Sequence, residues 1–241
     1  MIIKMPGSAL KAGARELIFK NSPRIIFISL VYVVFVTVVS WLSFRLPGSI
    51  NMQDINSRLA SGELPGFGII YTNFRPVGVL LAFLLLLLQP VLEFGFLSYC
   101  LKTKRSQSTE FKDLLNGFLF FIKVISIFVI SAVFVFLWSL LLVIPGIVAG
   151  YRYRQAYYIL LDDPQKSALR CITESKLMMH GKKLDLLVID LSFLGWYVLD
   201  FIIIILIPFS FVIPIVSIWI SPYAGLTRAA FYEIQRIDVA V

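Results

Sequence analysis

The sequence predicts an all-α protein, a polytopic transmembrane helical bundle of about six spans with two amphipathic helices at the inner leaflet. Three observations predict it. Of 241 residues, 59% are hydrophobic and only 15% charged, whereas an ordinary soluble domain is roughly 45–50% apolar and about 25% charged. The apolar residues gather into six stretches, most of them near the length of about 20 residues that crosses a bilayer core as helix. Those stretches do not alternate as the short strands of a membrane β-barrel do, so helices, which satisfy their own backbone groups in lipid, remain. A soluble enzyme, a nucleic-acid-binding domain and a disordered regulator are excluded by the same composition.

The whole chain, 1–241, reads as one integral membrane domain. Segment 1–23 is amphipathic: Leu10, Ala14, Leu17 and Ile18 recur at helical spacing opposite Lys11 and Arg15. The first span is 25–46, rich in Val and Ile. Segment 47–76 is a polar outer loop with Gly48, Gly62, Pro65, Gly66 and Gly68, expected to hold one short helix around 53–60 and otherwise irregular. The second span, 77–101, carries Pro90, which a membrane helix tolerates. The third is 118–144. The step Pro145-Gly146 then marks a helix break near the outer surface, read as a tight hairpin or, more sharply, as a hinge beside a site. A fourth span, 147–161, is short and holds two arginines and four tyrosines. Segment 164–183 is a second amphipathic cytoplasmic stretch, with Asp162 and Asp163 expected to cap its helix and Gly181 to end it. The fifth and sixth spans are 184–207 and 211–231. Each amphipathic segment reads either as a connector packed on the bundle or as a helix on the inner leaflet. Helix, span and Pro-containing span occur in that order at both ends, a faint internal repeat.

The net charge of +8 acquires a meaning once the spans are placed. Sixteen of the 22 Lys and Arg residues fall on the side of the termini, three (Arg45, Arg58, Arg75) on the other and three within spans. Cytoplasmic loops carry the excess of Lys and Arg, so both termini are expected in the cytoplasm of a bacterial plasma membrane. No cleavable signal peptide is expected, because the first apolar run is long enough to stay. Lys182 and Lys183, where an amphipathic segment meets a span, are expected to touch anionic headgroups, at about 1 kcal/mol each. Cys100 and Cys171 lie at the cytoplasmic face, where a disulfide is not expected, and two cysteines with one histidine are too few for a zinc site. The reading includes no metal, cofactor or nucleic acid.

Several ordered motifs resemble a known family. LWSLLLVIPGIVAGYRYRQAYYILLDDP, ESKLMMHGKKLDLLVIDLSFLGW and PYAGLTRAAFYE, with the earlier ARELIFKN and LEFGF, resemble bacterial domain-of-unknown-function family nine-seven-five. The resemblance implies a small multi-pass membrane protein of the kind common in Firmicutes, and no defined activity. More distantly the chain is similar to the membrane portion attached to some glycerophosphodiester phosphodiesterases, which implies a non-catalytic module. Arg152 and Arg154 depart from the family pattern, which usually has small or polar residues between these tyrosines.

Ionisable residues inside spans are costly and are functional candidates by default. Counting at 1.5 Å per residue puts Glu93, Lys123 and Asp190 in an inner layer, and Arg152, Arg154 and Asp200 in an outer one. Each layer holds both signs, so pairing within a layer, with Asp200 neutralising Arg152 or Arg154, is the expected arrangement; a polar cavity or ion path is the alternative. His180, the tyrosines at 151–158 and Trp196 read first as interface and packing residues. No nucleophile elbow, phosphate loop or metal-ligand cluster occurs. The sequence therefore points to a non-enzymatic membrane module that binds a partner protein, a lipid or a small ligand, in an exporter-accessory or envelope context, with self-association open. Its alternative is a small transporter or channel using the intramembrane charges.

Overall fold

The computed structural model describes residues 7–46, 57, 60–61, 76–206 and 214–240, and they are largely helical with no strand among them. The helices are α1 (Gly7–Asn21), α2 (Arg24–Arg45), α3 (Pro76–Lys104), a 3-10 turn (Phe111–Leu115), α4 (Asn116–Leu119), α5 (Phe121–Leu141), α6 (Val143–Tyr153), α7 (Ala156–Asp162), α8 (Ala168–Met178), α9 (Lys183–Leu206) and α10 (Ile215–Ala240). Four stretches are long and apolar enough to cross a membrane: Arg24–Ser43, Pro76–Lys104, Phe121–Leu141 and Lys183–Ile203. Around the α5–α6 connection, Leu140 through Ile144 are each about 70% exposed. Water would not tolerate so continuous an apolar patch. Both observations fit a membrane protein.

The fold divides into two units, Phe35–Gln89 and the remainder. In the smaller, Gln89 Nε2 donates to Ser40 Oγ at 2.9 Å, Ser43 donates back to Val39 O within its own helix, and the Arg45 guanidinium lies over the Trp41 ring. The short helix expected at 53–60 falls largely outside the described residues; Ser57 and Ala60 are helical. Residues 207–213, between the fifth and sixth expected spans, also lie outside them, as do residues 1–6 at the start of the N-terminal segment.

In the larger unit α10 is central. From Ala224 to Tyr232 every residue except Arg228 is buried, so this stretch is covered on all sides, as a helix at the heart of a bundle must be. Small residues allow the close approaches: a Cβ on Gly225 would lie 2.7 Å from Cys100 Sγ of α3. The helices α1 and α9 pack along α10, and Ser29 of α2 donates to Ile218 O at 2.8 Å. Leu10, Ala14 and Ile18 are the buried stripe of α1, so its apolar face is spent on the bundle. The α10 helix is not among the four candidates; Arg228 and the Ser221-Pro222-Tyr223 run dilute even its most apolar half.

Three local expectations are corrected. The break after the third span is at Leu142, whose extended backbone (φ −162°, ψ 151°) separates α5 from α6. Pro145 and Gly146 instead lie in the first turn of α6, where a missing N–H costs nothing because that turn's donors have no helical partner. Gly146 lets the hairpin close: a Cβ there would meet Ser139 Oγ at 2.0 Å. The fourth apolar stretch is two helices, α6 and α7, broken at Arg154-Gln155. Finally, α8 is capped by Ser167, whose Oγ accepts from Arg170 N at 3.4 Å. Of the two aspartates expected to cap it, Asp163 accepts from Gln165 N in the preceding turn and Asp162 is held by cations and a tyrosine. Gly181 does sit in the left-handed region, at φ 76°, between α8 and α9.

Candidate functional site

The break between α6 and α7 is where the site begins. A membrane-embedded helix cannot leave backbone groups unpaired, and here one side chain serves both ends of the break. Ser175 of α8, fully buried, donates to Arg152 O at 2.9 Å and its Oγ accepts from Gln155 N at 3.1 Å. The kink turns Arg154, Gln155, Tyr157 and Tyr158 toward a cavity of about 270 Å³. Glu93 and Leu97 of α3, Phe128 and Ser131 of α5, Gly150 and Tyr153 of α6, Leu186 of α9 and Arg228 of α10 complete its wall.

The wall is mostly apolar, with a few convergent polar groups, which is the usual make-up of a small-molecule site. Two of the charges on it are paired. Arg228 Nε donates to Asp190 Oδ1 at 2.9 Å, and Arg154 Nη2 is 3.8 Å from the other oxygen of the same carboxylate. Asp190 thus bridges two cations. Glu93, partly buried, has neither a hydrogen bond nor an ion pair among the described residues. Three residues of the wall also carry a polar atom closed off from the cavity space and without a partner: Gln155 Oε1, Tyr158 Oη and Ser131 Oγ. Gln155 is 1% and Tyr158 2% exposed, so neither is served by bulk water. Such groups cost about 1–3 kcal/mol each when left unpaired, so each calls for an explanation. Aromatic packing fixes the tyrosines: Tyr158 stacks on Tyr232 at 4.9 Å, Tyr157 meets Phe94 edge-on, and Tyr153 sits 5.9 Å from Phe134.

The structure brings only part of the sequence-predicted set together. Glu93 and Arg154 share the cavity and Asp190 joins them through its cations, so the pairing runs across the two expected layers. The expected pairing of Asp200 with Arg152 or Arg154 is not formed. Asp200, 5% exposed, accepts instead from Val216 N at 3.0 Å and from the Ser217 hydroxyl, capping the first turn of α10, where a negative charge is favoured. Arg152 lies over the Trp138 ring, 5.9 Å from its centroid. Lys123 donates to Pro164 O at 2.5 Å, away from the cavity. Lys182 and Lys183 stand at the α8–α9 turn, half-buried, and Pro145 and Gly146 lie in the α5–α6 hairpin outside the cavity wall.

Arg228 and Gln155 are the residues that sequence reasoning missed. Arg228 counted among the C-terminal positive charges, because nothing in the composition of 211–231 shows that its flanks are buried. Gln155 carries no charge and so escaped a search for intramembrane ions.

A second cluster closes the bundle where α3, α7 and α10 end. Arg105 Nε donates to Glu233 Oε1 at 2.7 Å, Arg105 Nη1 lies 2.7 Å from Asp162 Oδ1, and Tyr232 Oη donates to Asp162 Oδ2 at 2.7 Å. Arg236 adds a longer contact to each carboxylate. Burial pulls the Arg105 guanidinium down, but the hydrogen bonds and charges of Asp162 and Glu233 outweigh it and hold the group above its ordinary value.

No curated protein and no solved structure matches the chain. The earlier resembling blocks, ARELIFKN and LEFGF, precede the matched range. Residues 140–237, which supply the α6–α7 break, the Asp190 carboxylate and Arg228, match the family described as protein of unknown function (DUF975).

Proposed function

We propose that this chain is a non-enzymatic membrane protein that binds a small amphiphilic ligand in the cavity bounded by α3, α5, α6, α7, α9 and α10, with both termini on the cytoplasmic side of a plasma membrane. One observation carries the reading: the unpaired Glu93 carboxylate and the Arg154 guanidinium, which makes no side-chain hydrogen bond among the described residues, lie on the wall of a single, largely apolar cavity. Packing alone would favour apolar side chains there, because each unpaired polar group is a net cost. A ligand that supplies their missing partners removes that cost on binding.

The test is a thermal-shift screen of the full chain in lipid nanodiscs with a panel of small amphiphiles. A compound that binds the folded state raises the melting midpoint with concentration. Gly150→Leu, which puts a side chain where a Cβ now meets nothing within 4 Å, should abolish the shift without unfolding the protein. A panel that leaves the midpoint unmoved would count against the reading.

Transport is the second reading, favoured by Glu93 and the Asp190–Arg228–Arg154 group meeting at one cavity. Under the binding reading, proteoliposomes show no ligand- or ion-dependent flux. Flux that is lost on neutralising Glu93 or Asp190 would replace it with transport.

A further inference from the structure

Along one edge of α1, two cations lie over aromatic rings instead of meeting carboxylates. Lys11 Nζ is 4.7 Å from the centroid of Phe193 on α9, and one turn further on the Arg15 guanidinium is 5.7 Å from that of Phe19. Neither has an ion pair among the described residues. Arg15, Ile18 and Phe19 form one wall of an open groove. Trp196 of α9, with Ile215, Trp219, Ile220 and Tyr223 of α10, forms much of the other. No carboxylate lines it. Glu16, next to Arg15, is exposed and off the wall, and Asp200, bonded to Val216 N, is 5% exposed and spent on the first turn of α10. The polar capacity left in the groove is mainly that of donors. Trp196 and Trp219 are about half exposed, their indole N–H groups have no acceptor among the described residues, and an indole can only donate.

We infer that this groove holds an anionic phospholipid, with its phosphate on Arg15 and an acyl chain along Phe19, Ile215 and Ile220. Lys11, on the same edge of α1, adds its charge to the headgroup end, and the ester carbonyls of the lipid accept from the two indoles. Charge decides among the candidate occupants. A second copy of this chain would bring another net +8 toward the same two cations. A zwitterionic phospholipid would bring an ammonium beside them together with its phosphate. A neutral lipid would cover the rings and leave the guanidinium without an anion. An anionic phospholipid supplies what is missing in one molecule: phosphate fits the forked donors of a guanidinium, and basic pockets between membrane helices take anionic headgroups. The groove shares no residue with the cavity wall, so the inference stands or falls apart from the binding reading above.

Trp196 and Trp219 report on the groove directly once Trp41→Phe and Trp138→Phe leave them as the two tryptophans of the chain. The full chain is reconstituted in mixed bilayers of phosphatidylglycerol and phosphatidylcholine, with the acyl chains of one lipid or the other brominated to quench indole fluorescence on contact. Phosphatidylglycerol should bind about five-fold more tightly than phosphatidylcholine, by the usual worth of one cation at an anionic headgroup. Arg15→Gln should bring the two lipids close to equal, and Arg15→Lys should keep part of the preference. Replacing Lys182 and Lys183 by Gln, which removes positive charge elsewhere, should leave the ratio unchanged. Native mass spectrometry of the chain with all four tryptophans, counting phosphatidylglycerol retained with and without Arg15→Gln, gives the same comparison if the tryptophan replacements fold poorly. A preference that survives Arg15→Gln, or one that falls as much with the Lys182 and Lys183 replacements, would overturn the assignment. Equal quenching by both lipids would do so too. Indoles that neither brominated lipid quenches would mean that protein, such as a second copy of the chain, covers the groove, and would overturn it equally.

Discussion

At Gly95 a methyl group would meet the carbonyl oxygen of Leu114 at 1.9 Å, and at Gly117 it would meet that of Val91 at the same distance. These two glycines let the 3-10 turn and α4 press directly on the backbone of α3, beside the residue two positions before Glu93. Neither backbone can swing away as a flexible side chain would, so Gly95→Ala should lower stability by roughly 1–3 kcal/mol, the usual cost of overpacking. Gly195 of α9, whose Cβ would meet nothing within 4 Å, is the control: Gly195→Ala should leave the melting midpoint in detergent unchanged or raise it. Asp200 belongs to the same scale. Its carboxylate caps α10 from a neighbouring helix, so Asp200→Ala should destabilise by roughly 1–2 kcal/mol. Removing Arg152 or Arg154 as well should add an independent loss rather than restore stability, because neither arginine touches Asp200. Partial restoration in the double variant would revive the pairing expected from the sequence.

Beyond the buried apolar clusters, charges at the helix ends also join the elements to one another. Arg105 at the end of α3 joins the last residue of α7 to α10, and its side chain and both partners are about four-fifths buried. Arg105→Met should cost roughly 1–2 kcal/mol by the worth of hydrogen bonds to charged groups, discounted for residual exposure. In a double-mutant cycle with Asp162→Asn the losses should be clearly less than additive. On α8, burial pushes the Glu174 carboxyl up, but hydrogen bonds from Lys166 and Arg170 and their charges leave it below its ordinary value of 4.5. A carboxyl depressed in the folded state adds stability above that ordinary value, and the contribution is lost as pH falls through the folded one. Protection factors in α8, corrected for the intrinsic pH dependence of exchange, should therefore fall as the pH drops below about 4.5, and Glu174→Gln should flatten that dependence. Burial likewise pushes the Cys171 thiol up, to about 11, with the charge of Glu174 adding to it. Thiolate being the reactive form, maleimide should label Cys171 slowly at pH 8 in the folded protein.

Across the whole molecule, the legible and illegible parts of the sequence divide by what lipid does to a chain. Lipid demands long, internally bonded apolar helices, so α2, α3, α5 and α9 stand out in composition alone, and the prolines at 90 and 222 do not break their helices. Lipid says much less about which apolar surface meets protein and which meets solvent, since both look alike in sequence. That is why the central place of α10 and the burial around Arg228 were not legible, and why the Asp190 bridge crosses the two layers that counting along spans had kept apart. The α6–α7 break was also hidden, because the group that satisfies it, Ser175, lies on α8 rather than in the broken segment. The sequence by itself determined the solvent, the helical class, the main apolar elements and the resemblance borne out over residues 140–237, since each follows from local apolarity or local motif. Only the tertiary structure decided which charges pair and which stay open, because a carboxylate's partner depends on the packing of helices far apart in the chain, and it left Glu93 unpaired on the wall of a cavity.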